Sequence, residues 1–545
     1  MKLISKIAVS VLALSAVATS CTKNFEDINT NPNKLNYGDI QAYNCCESII
    51  YTMGREFQDN CHYWCNNLVQ FTAYTAGAVR QSHNYQVTDG NWQSIWDGYA
   101  RIAADCQHMI TLAKAEEDKF FEALGLILKV QNLSSLSAMV GDIPYDEAFK
   151  FKDNLTPAFE SQEMVIQKCI RDLDSANVIL SRNPKPFKSG LDGIYGDDVM
   201  SWRKYANSMK ARLLCRAASI KDSEQGESYY WGEIAKMYND QSTYPLFESV
   251  DDNAQVNFQN VDPYKSHYFY NSSGQFTESD MTNYRTCAQV IKVMTVQDSD
   301  GNTLYEDPRL PIYSTQKKGR WIGTIAGCTP TEQEAIEDES PAVQNFKTLC
   351  NPETPAFLME YSELLFILSE GTLKGKLSLG KTAKEFYNEA VTASIRKWAP
   401  YAAYNSKSRP VRDVDIETFL ASPIGSYDVA EAGTGLYKSA EELIHTQKWL
   451  SLYYVDMEAY HEWRRTEYPI LTIGNGTQYN DFELPSRFGY PGYTVSTNNA
   501  NVVKALERMG GKNDMHTPLD WSYKKHNGKN RNPHPSANLP KPEKS

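Results

Sequence analysis

Apolar side chains recur every three or four residues over long stretches of this chain. In residues 162–180 the apolar stripe consists of Val165, Cys169, Leu173 and Ala176. The residues between them are charged or polar, and a period of about 3.6 residues is that of an α-helix with one buried face. The same spacing occurs in the first half of the chain at 39–57, 62–78, 92–115, 119–139, 162–180 and 199–219. The fold is therefore predicted to be mainly α.

The middle of the chain has a different composition. Residues 244–355 are rich in Pro, Gly, Asn, Asp and Tyr, and only one stretch, near 286–295, has helical spacing. Long irregular segments in a compact protein are usually functional or disordered, and the aromatic content of this one argues against disorder. Helical spacing returns at 356–374, 382–399, 414–421, 439–465 and 499–509. The middle is thus expected to form a loop-rich part of a helical protein.

We expect one domain at 38–521, within a chain of 545 residues that is long enough for a large core. In this domain, 38–243 and 356–521 are predicted to form a helical scaffold, and 244–355 an irregular, loop-rich cap. Residues 522–545 are basic and rich in Pro and Asn, which predicts a disordered tail.

Residues 364–395 have the pattern of a tetratricopeptide-type helical hairpin. Two glycines, Gly371 and Gly375, separate two helical stretches. The positions predicted to face inward are Leu364, Leu365, Leu368, Ala383, Tyr387, Ala390 and Ile395. Such two-helix units bury their apolar faces only by stacking on neighbours, so the scaffold is predicted to consist of stacked hairpins.

The N-terminus has the pattern of a secretory signal. Lys2 and Lys6 are followed by an apolar stretch, 7–18, which is too short for a comfortable membrane span. Cys21 comes after small residues, and as the first residue of a mature chain it can carry acyl chains such as palmitate. The predicted parts are a signal peptide at 1–20, lipidation at Cys21 and a polar tether over 21–37. Ala18 stands where the usual motif has Leu, and the alternative is an ordinary secreted protein with a stray cysteine.

Charge and composition exclude some classes of protein. The net charge of −12 argues against a nucleic-acid partner, because nucleic acid requires a basic surface. After the N-terminus, no apolar run approaches the ~18 residues that span a bilayer. The cysteines beyond Cys21 are irregularly spaced among the 11 in the chain. This spacing favours buried single thiols and leaves one or two disulfides open.

Short blocks of sequence are spread over nearly the whole chain that follows Cys21. The most specific is Trp202-Arg-Lys-Tyr-Ala-Asn-Ser-Met-Lys-Ala-Arg-Leu213. The others are Phe25-Glu-Asp-Ile-Asn-Thr-Asn-Pro-Asn33, Trp96-Asp-Gly-Tyr99, Gly141-Asp-Ile-Pro-Tyr145, Asp307-Pro-Arg-Leu310, Tyr361-Ser-Glu-Leu-Leu365, Gln447-Lys-Trp-Leu450, Asp456-Met-Glu-Ala459, Trp463-Arg-Arg465 and Pro485-Ser-Arg-Phe-Gly-Tyr-Pro491. In their order and joint presence these blocks resemble the SusD/RagB family of nutrient-binding outer-membrane lipoproteins, in particular its SusD-like branch.

The resemblance implies a fold and a role. The fold is a scaffold of tetratricopeptide-like helical hairpins with an irregular cap, and Trp96 and Trp202 belong to its core. The role is that of a lipoprotein anchored in the outer membrane and facing the cell exterior, on a SusC-like TonB-dependent transporter. Such a protein captures oligosaccharides, or in some members peptides, without chemistry and without a cofactor. Thr494 departs from the family, which often has Glu there, and puts one local contact in doubt.

Two sequence patterns could indicate a metal site. His461-Glu462 begins the pattern of a zinc protease, but Arg465 stands where the second helical histidine would be. Cys61-His62-Tyr-Trp-Cys65 offers two thiols and an imidazole, but a structural zinc site needs four ligands and no partner pair is evident. No metal is therefore expected.

A carboxylate pair would indicate glycoside hydrolysis. Asp456, Glu458 and Glu462 are close in sequence, but the adjacent Arg464 and Arg465 favour ion pairs that hold helices together. The chain has no G-x-S-x-G nucleophile motif, no P-loop and no G-x-G-x-x-G motif. An enzyme is not expected.

The loops contain a candidate binding platform. Sugar rings stack their apolar face on Trp or Tyr, while their hydroxyl groups need polar partners. Two regions, 74–92 and 264–285, have this composition. The predicted ligand-binding residues are Tyr74, Arg80, Tyr85, Trp92, Tyr268, Tyr270, Tyr284, Arg285 and Trp321. The alternative is that these aromatic residues only pack the cap.

The sequence favours a cell-surface lipoprotein that captures nutrients for a transporter. Two alternatives stay open: a secreted α-helical glycoside hydrolase, and a surface scaffold or adhesin without a small ligand. A catalytic carboxylate pair in a cleft would favour the hydrolase, and a failure to bind any oligosaccharide or peptide would favour the adhesin.

Overall fold

In the computed structural model, helices make up 54% of the chain and strands 6%, which confirms the predicted mainly α class. The described residues are 40–75, 83–150, 153–268, 278–404 and 409–531, with the isolated positions 270, 271, 274, 275 and 407. The signal peptide, Cys21 and the tether, all predicted within residues 1–37, lie outside them.

Six helices form the first part of the scaffold, and each packs against the next one along the chain. They are α1 (Ala42–Asp59), α2 (Asp89–Glu116), α3 (Lys119–Val140), α4 (Gln162–Leu180), α5 (Val199–Ala217) and α6 (Glu227–Asn239). The side chains of Asp118, Ser161 and Asp198 accept backbone N–H groups in the first turns of α3, α4 and α5. These caps fix the helix starts that the apolar spacing predicts.

α3 is a central helix of the scaffold. Every residue from Phe120 to Val140 is buried. Among the described residues, α3 is the helix that is long and apolar enough to cross a membrane, but the protein itself surrounds it. A largely apolar helix without one distinct polar face is expected in such a position.

The cap combines short helices with small sheets. Its helices are α7 (Glu278–Thr282), α8 (Ala288–Met294), α9 (Leu310–Tyr313), α10 (Pro330–Asp338) and α11 (Phe346–Leu349). Two of the strands come from outside 244–355: β1 from the first part of the chain and β10 from directly after the cap. The strands are β1 (Thr72–Tyr74), β2 (Ala254–Val256), β3 (Tyr270–Asn271), β4 (Gly274–Gln275), β5 (Tyr284–Thr286), β6 (Thr295–Gln297), β7 (Thr303–Glu306), β8 (Ser314–Thr315), β9 (Val343–Gln344) and β10 (Ala356–Met359). The largest sheet has the order β1-β5-β9-β8, and the pairs β2–β10, β3–β4 and β6–β7 are separate.

The single helix predicted in the cap is confirmed as α8, but α10 was not predicted. α10 has no apolar stripe, and the residue that it buries, Gln333, is polar. Its start is nevertheless marked in the sequence: Thr329 and Glu332 form a reciprocal capping box, and Pro330 between them is the first residue of the helix. That motif was the signal by which α10 could have been found.

The second part of the scaffold follows the cap. Its helices are α12 (Tyr361–Leu373), α13 (Ala383–Trp398), α14 (Asp413–Leu420), α15 (Tyr427–Glu431), α16 (Ala440–Ser451), α17 (Glu458–Thr466), α18 (Gly492–Thr497), α19 (Asn499–Met509) and α20 (Tyr523–Asn527). α12 packs on α13, on α16 and on α5, and so joins the two parts of the scaffold. Short 3₁₀ helices lie at Val250–Asp252, Ala399–Tyr404 and Thr477–Asn480.

The predicted hairpin at 364–395 is confirmed as α12 and α13. All seven residues predicted to face inward are buried. Gly375 has a positive φ of 65° in the turn. Gly371 is needed for close packing, since a Cβ there would lie 2.7 Å from the Trp231 ring and 2.5 Å from Leu377.

Two of the predicted helices are wrong in part. The segment 62–78 continues α1 only to Leu68, through a π-helix at Asn60–Cys65, and then becomes β1. Gln70 has a left-handed φ of 60°, which ends the helix. The segment 439–465 is two helices, α16 and α17, because Tyr454 and Asp456 also have positive φ values.

The predicted boundary of the disordered tail is also wrong. Residues 522–531 include α20 and pack on the scaffold: the guanidinium of Arg531 lies over the rings of Tyr468 and Tyr523, at 4.3 and 4.0 Å. Lys524 forms an ion pair with Glu483 at 2.5 Å. The remaining residues of the predicted tail, 532–545, lie outside the described part of the chain.

Candidate functional site

Strand pairing brings the two predicted binding regions together. β1 and β5 are antiparallel, and their register places Tyr74 opposite Tyr284 and Ala73 opposite Arg285. The two tyrosine rings are 4.9 Å apart, measured between ring centroids. Directly opposed residues share one face of a sheet, so one aromatic surface forms from segments that are distant in sequence.

The π-helix at Asn60–Cys65 contributes two more aromatic side chains next to this surface. The His62 ring lies 4.2 Å from that of Tyr284 and 4.9 Å from that of Tyr63. Tyr268 packs behind His62, with 6.1 Å between their centroids. We call Tyr63, Tyr74 and Tyr284, with His62 and Tyr268, the tyrosine cluster. Single turns of π-helix inside α-helices are frequent at functional sites, because the extra residue redirects the side chains that follow.

Exposure divides the cluster into two groups. Tyr63 is 41% exposed, and Tyr74 is partly exposed. His62, Tyr268 and Tyr284 are buried. The first two therefore offer their rings to solvent, and the other three support them from below.

The Asn67 side chain fixes the geometry between the π-helix and β1. Its carboxamide oxygen accepts the backbone N–H of Tyr74 at 3.1 Å. Its amide nitrogen donates to the backbone carbonyls of His62 and Tyr63, both at 3.3 Å. Because Asn67 is fully buried, these bonds hold the exposed tyrosines in a fixed relation to each other.

One polar pair lies next to the cluster, and a second lies on the opposite face of the sheet. Nδ1 of His267 is 2.9 Å from Oδ1 of Asp59. Arg285 follows Tyr284 in β5 and opposes Ala73, so its side chain lies on the other face of the sheet. There it donates from Nε to Glu337 at 2.9 Å and from Nη1 to the backbone carbonyl of Thr282. Asp59 and His267 are thus the polar groups of the kind that a ligand's hydroxyl groups need beside an aromatic surface.

Burial keeps the rings of the cluster uncharged. Desolvation lowers the pKa of the His62 imidazole to about 3. Partial desolvation, together with Asp59 and Asp280, raises the pKa of Tyr63 to about 12. Desolvation also raises the pKa of Tyr284 well above its ordinary value. These rings are therefore neutral over the physiological range of pH, which suits an uncharged ligand.

Tyr85 and Trp92, both predicted to contact a ligand, lie elsewhere. Tyr85 is buried, and its hydroxyl accepts the Gln70 side-chain amide at 3.0 Å. Trp92 is partly buried and packs on the backbone of Gly489, where a Cβ would come within 2.4 Å of the indole. The burial of Tyr85 agrees with the alternative that these aromatic residues only pack the protein interior. Trp92, by contrast, is partly exposed.

Trp321 is buried as well. Its indole N–H donates to Glu306 at 2.7 Å, and its backbone carbonyl accepts from Gln297 at 3.0 Å. The ring is therefore part of the interior of the cap. Arg80 and the side chain of Tyr270 lie outside the described residues, so ligand contact there stays a prediction.

The core prediction for Trp202 is confirmed, since its side chain is fully buried. Trp96 is only partly buried; it stacks on Phe159 at 6.2 Å and meets Tyr490 edge-on at 6.1 Å. Trp96 thus lies at the margin of the core.

The acids that could have indicated hydrolysis are buried in the scaffold. The hydroxyl of Tyr99 donates to both carboxylate oxygens of Asp456, at 2.9 and 2.8 Å, and Asn60 donates at 3.1 Å. Glu458 pairs with Arg216. Glu462 pairs with Arg465 at 2.7 Å and with Lys448 at 3.1 Å. None of the three lines the tyrosine cluster, so each has the structural role that the neighbouring arginines predict.

The candidate metal patterns also have structural partners. Nδ1 of His461 is 2.7 Å from Nη2 of Arg464, and the Cys61 thiol donates to the Asp456 carbonyl at 3.3 Å. Within the described ranges, Glu370, His445 and Glu462 are close enough to share an ion, but the two carboxylates already pair with Arg465. The ten cysteines from Cys45 to Cys350 are free thiols, eight of them buried, as predicted.

Three residues of the cluster region were not among the predicted binding residues: Tyr63, His62 and Asp59. The sequence does contain a signal, because Tyr63 is flanked by His62 and Trp64 in a segment otherwise read as helical. Helical spacing alone did not distinguish its exposed ring from a core residue, since the π-helix shifts the phase of the side chains.

The sequence of residues 32–491 matches the model of a family named SusD-like and described as starch-binding, associating with the outer membrane. No curated protein matches the sequence.

Solved structures with the same fold include a chitin-binding protein and two SusD homologues. The chitin-binding protein is 21% identical with a TM-score of 0.70, over 88% of this chain and 99% of the other. The SusD homologue from Parabacteroides distasonis is 20% identical with a TM-score of 0.71, over 89% and 98%. One from Bacteroides fragilis is 20% identical with a TM-score of 0.66, over 88% and 99%. At these identities the likeness shows the fold.

Proposed function

Because the chain belongs to the SusD-like family of starch-binding proteins that associate with the outer membrane, we propose that it captures oligosaccharides on the tyrosine cluster. The family is one of binding proteins, and the chain is not an enzyme. Its general role is carbohydrate or nutrient binding at the outer membrane. The proposal concerns which surface binds and what the ligand is.

The observation that carries the proposal is the pairing of β1 with β5. It places Tyr74 beside Tyr284, next to the exposed ring of Tyr63. A pyranose ring can lie on such tyrosines with its apolar face, while its hydroxyl groups reach polar side chains at the edge. Since the supporting rings are buried and Asn67 links the backbone of Tyr63 to that of Tyr74, little conformational entropy is lost when the ligand binds.

The neutral rings favour an uncharged sugar. Starch fragments are the first ligand class, from the family description, and chitin fragments the second, from a structural neighbour that is a chitin-binding protein. The peptide ligands implied by the family resemblance are the next class to be tested.

The proposed role includes an anchor and a partner. Lipidation at Cys21 would hold the protein on the outer membrane, facing the cell exterior. From there it would deliver its ligand to a SusC-like TonB-dependent transporter. The polar tether that precedes α1 would give the binding domain the reach to dock on such a partner.

Calorimetry on the chain lacking residues 1–21 tests the proposal. We expect saturable binding of maltoheptaose or chitohexaose to the wild-type protein. Replacing both Tyr63 and Tyr74 with Ala removes the two exposed rings and should weaken binding by about 5-fold to 150-fold, at about 0.5–1.5 kcal/mol per ring.

Tyr229→Ala is the matched control, because Tyr229 is 48% exposed on α6 and lies outside the cluster. It should leave the affinity unchanged. Equal affinity of the wild type and the double variant would show that the ligand does not bind on the tyrosine cluster. Cleavage of the sugar would favour the hydrolase, and binding of no sugar or peptide would favour an adhesin.

A further inference from the structure

Two acidic side chains lie beside the tyrosine cluster, and they come from different elements. Asp59 is the last residue of α1, directly before the π-helix that carries Tyr63. Asp280 belongs to α7, which packs on β5, the strand of Tyr284. Each of the two segments that form the cluster thus brings one carboxylate to it. We call Asp59 and Asp280 the acidic rim.

Both residues of the acidic rim are accessible to a ligand in part. The Asp59 side chain is 30% exposed, and Asp280 is partly exposed. Tyr63 follows Asp59 by four residues, which is about one helical turn, and side chains at this spacing are neighbours. Asp59 therefore stands next to the exposed ring on which a sugar would lie.

Both carboxylates act on the aromatic rings. Desolvation is the main cause that raises the pKa of Tyr63 and of Tyr284, and the charges of Asp59 and Asp280 raise both pKa values further. An acid raises the pKa of a nearby phenol because it disfavours a second negative charge. The two rings therefore lie in a negative potential, although they are themselves neutral.

The basic side chains in this part of the molecule have partners of their own. The ion pairs are Arg101–Glu56 at 2.7 Å, Lys265–Asp262 at 3.6 Å and Arg285–Glu337 at 2.9 Å. Arg55 donates to the backbone carbonyl of Pro263. His267 contacts Asp59 and is charged only when it is protonated. The charges that act on the Tyr63 ring are those of the acidic rim.

A carboxylate beside an aromatic surface treats neutral and acidic sugars differently. Its oxygens accept hydrogen bonds from the hydroxyl groups of a neutral sugar. A carboxylate on the sugar has no hydrogen to donate, and like charges brought together oppose binding. Selective sites commonly use a repulsive element of this kind in addition to their attractive contacts.

We propose that Asp59 and Asp280 make the tyrosine cluster select against acidic glycans, so that its ligands are oligosaccharides without carboxylate groups. This inference rests on the proposed function, because it concerns the same site, and it narrows the class of ligand. The neutral rings accept an uncharged sugar, and the acidic rim rejects a negatively charged one.

Calorimetry with two matched ligands tests the inference. One is maltoheptaose, and the other is maltoheptaose whose primary hydroxyl groups have been oxidised to carboxylates; if chitohexaose is the neutral ligand that binds, the pair is made from it. In about 0.02 M salt we expect the wild type to bind the oxidised ligand about fivefold more weakly or worse. In about 0.5 M salt the two dissociation constants should agree within about twofold, because salt screens exposed charges.

The double variant Asp59→Asn, Asp280→Asn removes the two charges and keeps the size of both side chains. At low salt its two dissociation constants should agree within about twofold, because the repulsion is gone. The matched control is Glu417→Gln with Glu507→Gln, which removes two exposed carboxylates from α14 and α19. This control should keep the wild-type ratio of the two constants.

The outcomes separate this inference from the proposed function. A wild type that binds neither neutral oligosaccharide would contradict the proposed function, and the inference with it. Equal binding of both ligands of the pair at low salt would overturn the inference alone. A preference that salt does not reduce would also overturn it, since the shape of the site would then reject the oxidised sugar. This salt series uses the wild type and needs no variant.

Discussion

One buried carboxyl group, Asp456, lies beside the π-helix that carries Tyr63. Its partners are the hydroxyl of Tyr99 and the side-chain amide of Asn60, the first residue of that π-helix. Desolvation raises the pKa of Asp456 from 3.8 to about 7. The folded protein therefore retains a proton there that the unfolded chain has already lost at pH 5.

This retained proton predicts a stability that falls as pH rises. A raised folded-state pKa makes the free energy of unfolding decrease between the unfolded pKa, about 4, and the folded value, about 7, with no further change above it. We expect Asp456→Asn to lack this component. From pH 5 to pH 6, the free energy of unfolding in urea should fall by up to about 1.4 kcal/mol more in the wild type than in the variant. Parallel pH profiles of the two proteins would mean that the carboxyl group is already ionised at pH 5.

At the same scale, burial explains which predicted binding residues the sequence could identify. Tyr74, Tyr268 and Tyr284 were predicted and lie in the tyrosine cluster, whereas Arg285 lies on the opposite face of β5. Tyr85 and Trp321 had the same local composition but are buried. Whether a loop aromatic is exposed depends on which segments of the folded chain pack on it, and a local pattern does not contain that information.

At the scale of elements, the hairpin of α12 and α13 depends on one small residue. Gly371 leaves room for Trp231 of α6 and for Leu377. Neighbouring helices can therefore approach closely at this point. The sequence predicted this hairpin, because its apolar stripe and its Gly375 turn are both local signals.

Gly371→Ala should destabilise the protein. The added Cβ would lie 2.5 Å from Leu377 and 2.7 Å from Trp231, and overpacking of this kind costs about 1–3 kcal/mol. The measurement is the melting temperature by differential scanning fluorimetry. Gly232→Ala in α6 is the control, because nothing lies within 4 Å of its added Cβ. It should be neutral or stabilise by about 0.5–1 kcal/mol. A Gly371→Ala protein as stable as the wild type would show that the helices can move apart without a loss of stability.

Other elements could not be predicted from local signals. The segment 62–78 has helical spacing, yet Gln70 turns the chain out of the helix and residues 72–74 pair with β5. That strand is stabilised by a partner about 210 positions away in sequence. Tertiary pairing of this kind overrides local propensity.

At the scale of the whole molecule, buried ion pairs join helices of the scaffold, one between its two parts and one within the second part. Arg212 of α5 pairs with Glu363 of α12 at 2.5 Å. Arg465 of α17 pairs with Glu370 of α12 at 2.5 Å. All four side chains are buried, so each charge depends on its partner for compensation.

Arg465→Met should be strongly destabilising. It leaves the carboxylates of Glu370 and Glu462 without their shared guanidinium, and breaking a buried pair in this way costs about 3–5 kcal/mol. The free energy of unfolding in urea measures the loss. Lys381→Ala, which removes an exposed pair with Glu389, should change it by at most ~1 kcal/mol. Equal effects of the two substitutions would mean that Arg465 contributes no more than a surface charge.

The register of β1 with β5 also has a consequence for the order of synthesis. Tyr74 and Tyr284 are 210 residues apart in sequence, so a growing chain cannot pair their rings until β5 has been synthesised. If the tyrosine cluster binds sugar as proposed, an unfinished chain that ends before β5 lacks the ring that supports Tyr74 and should not bind.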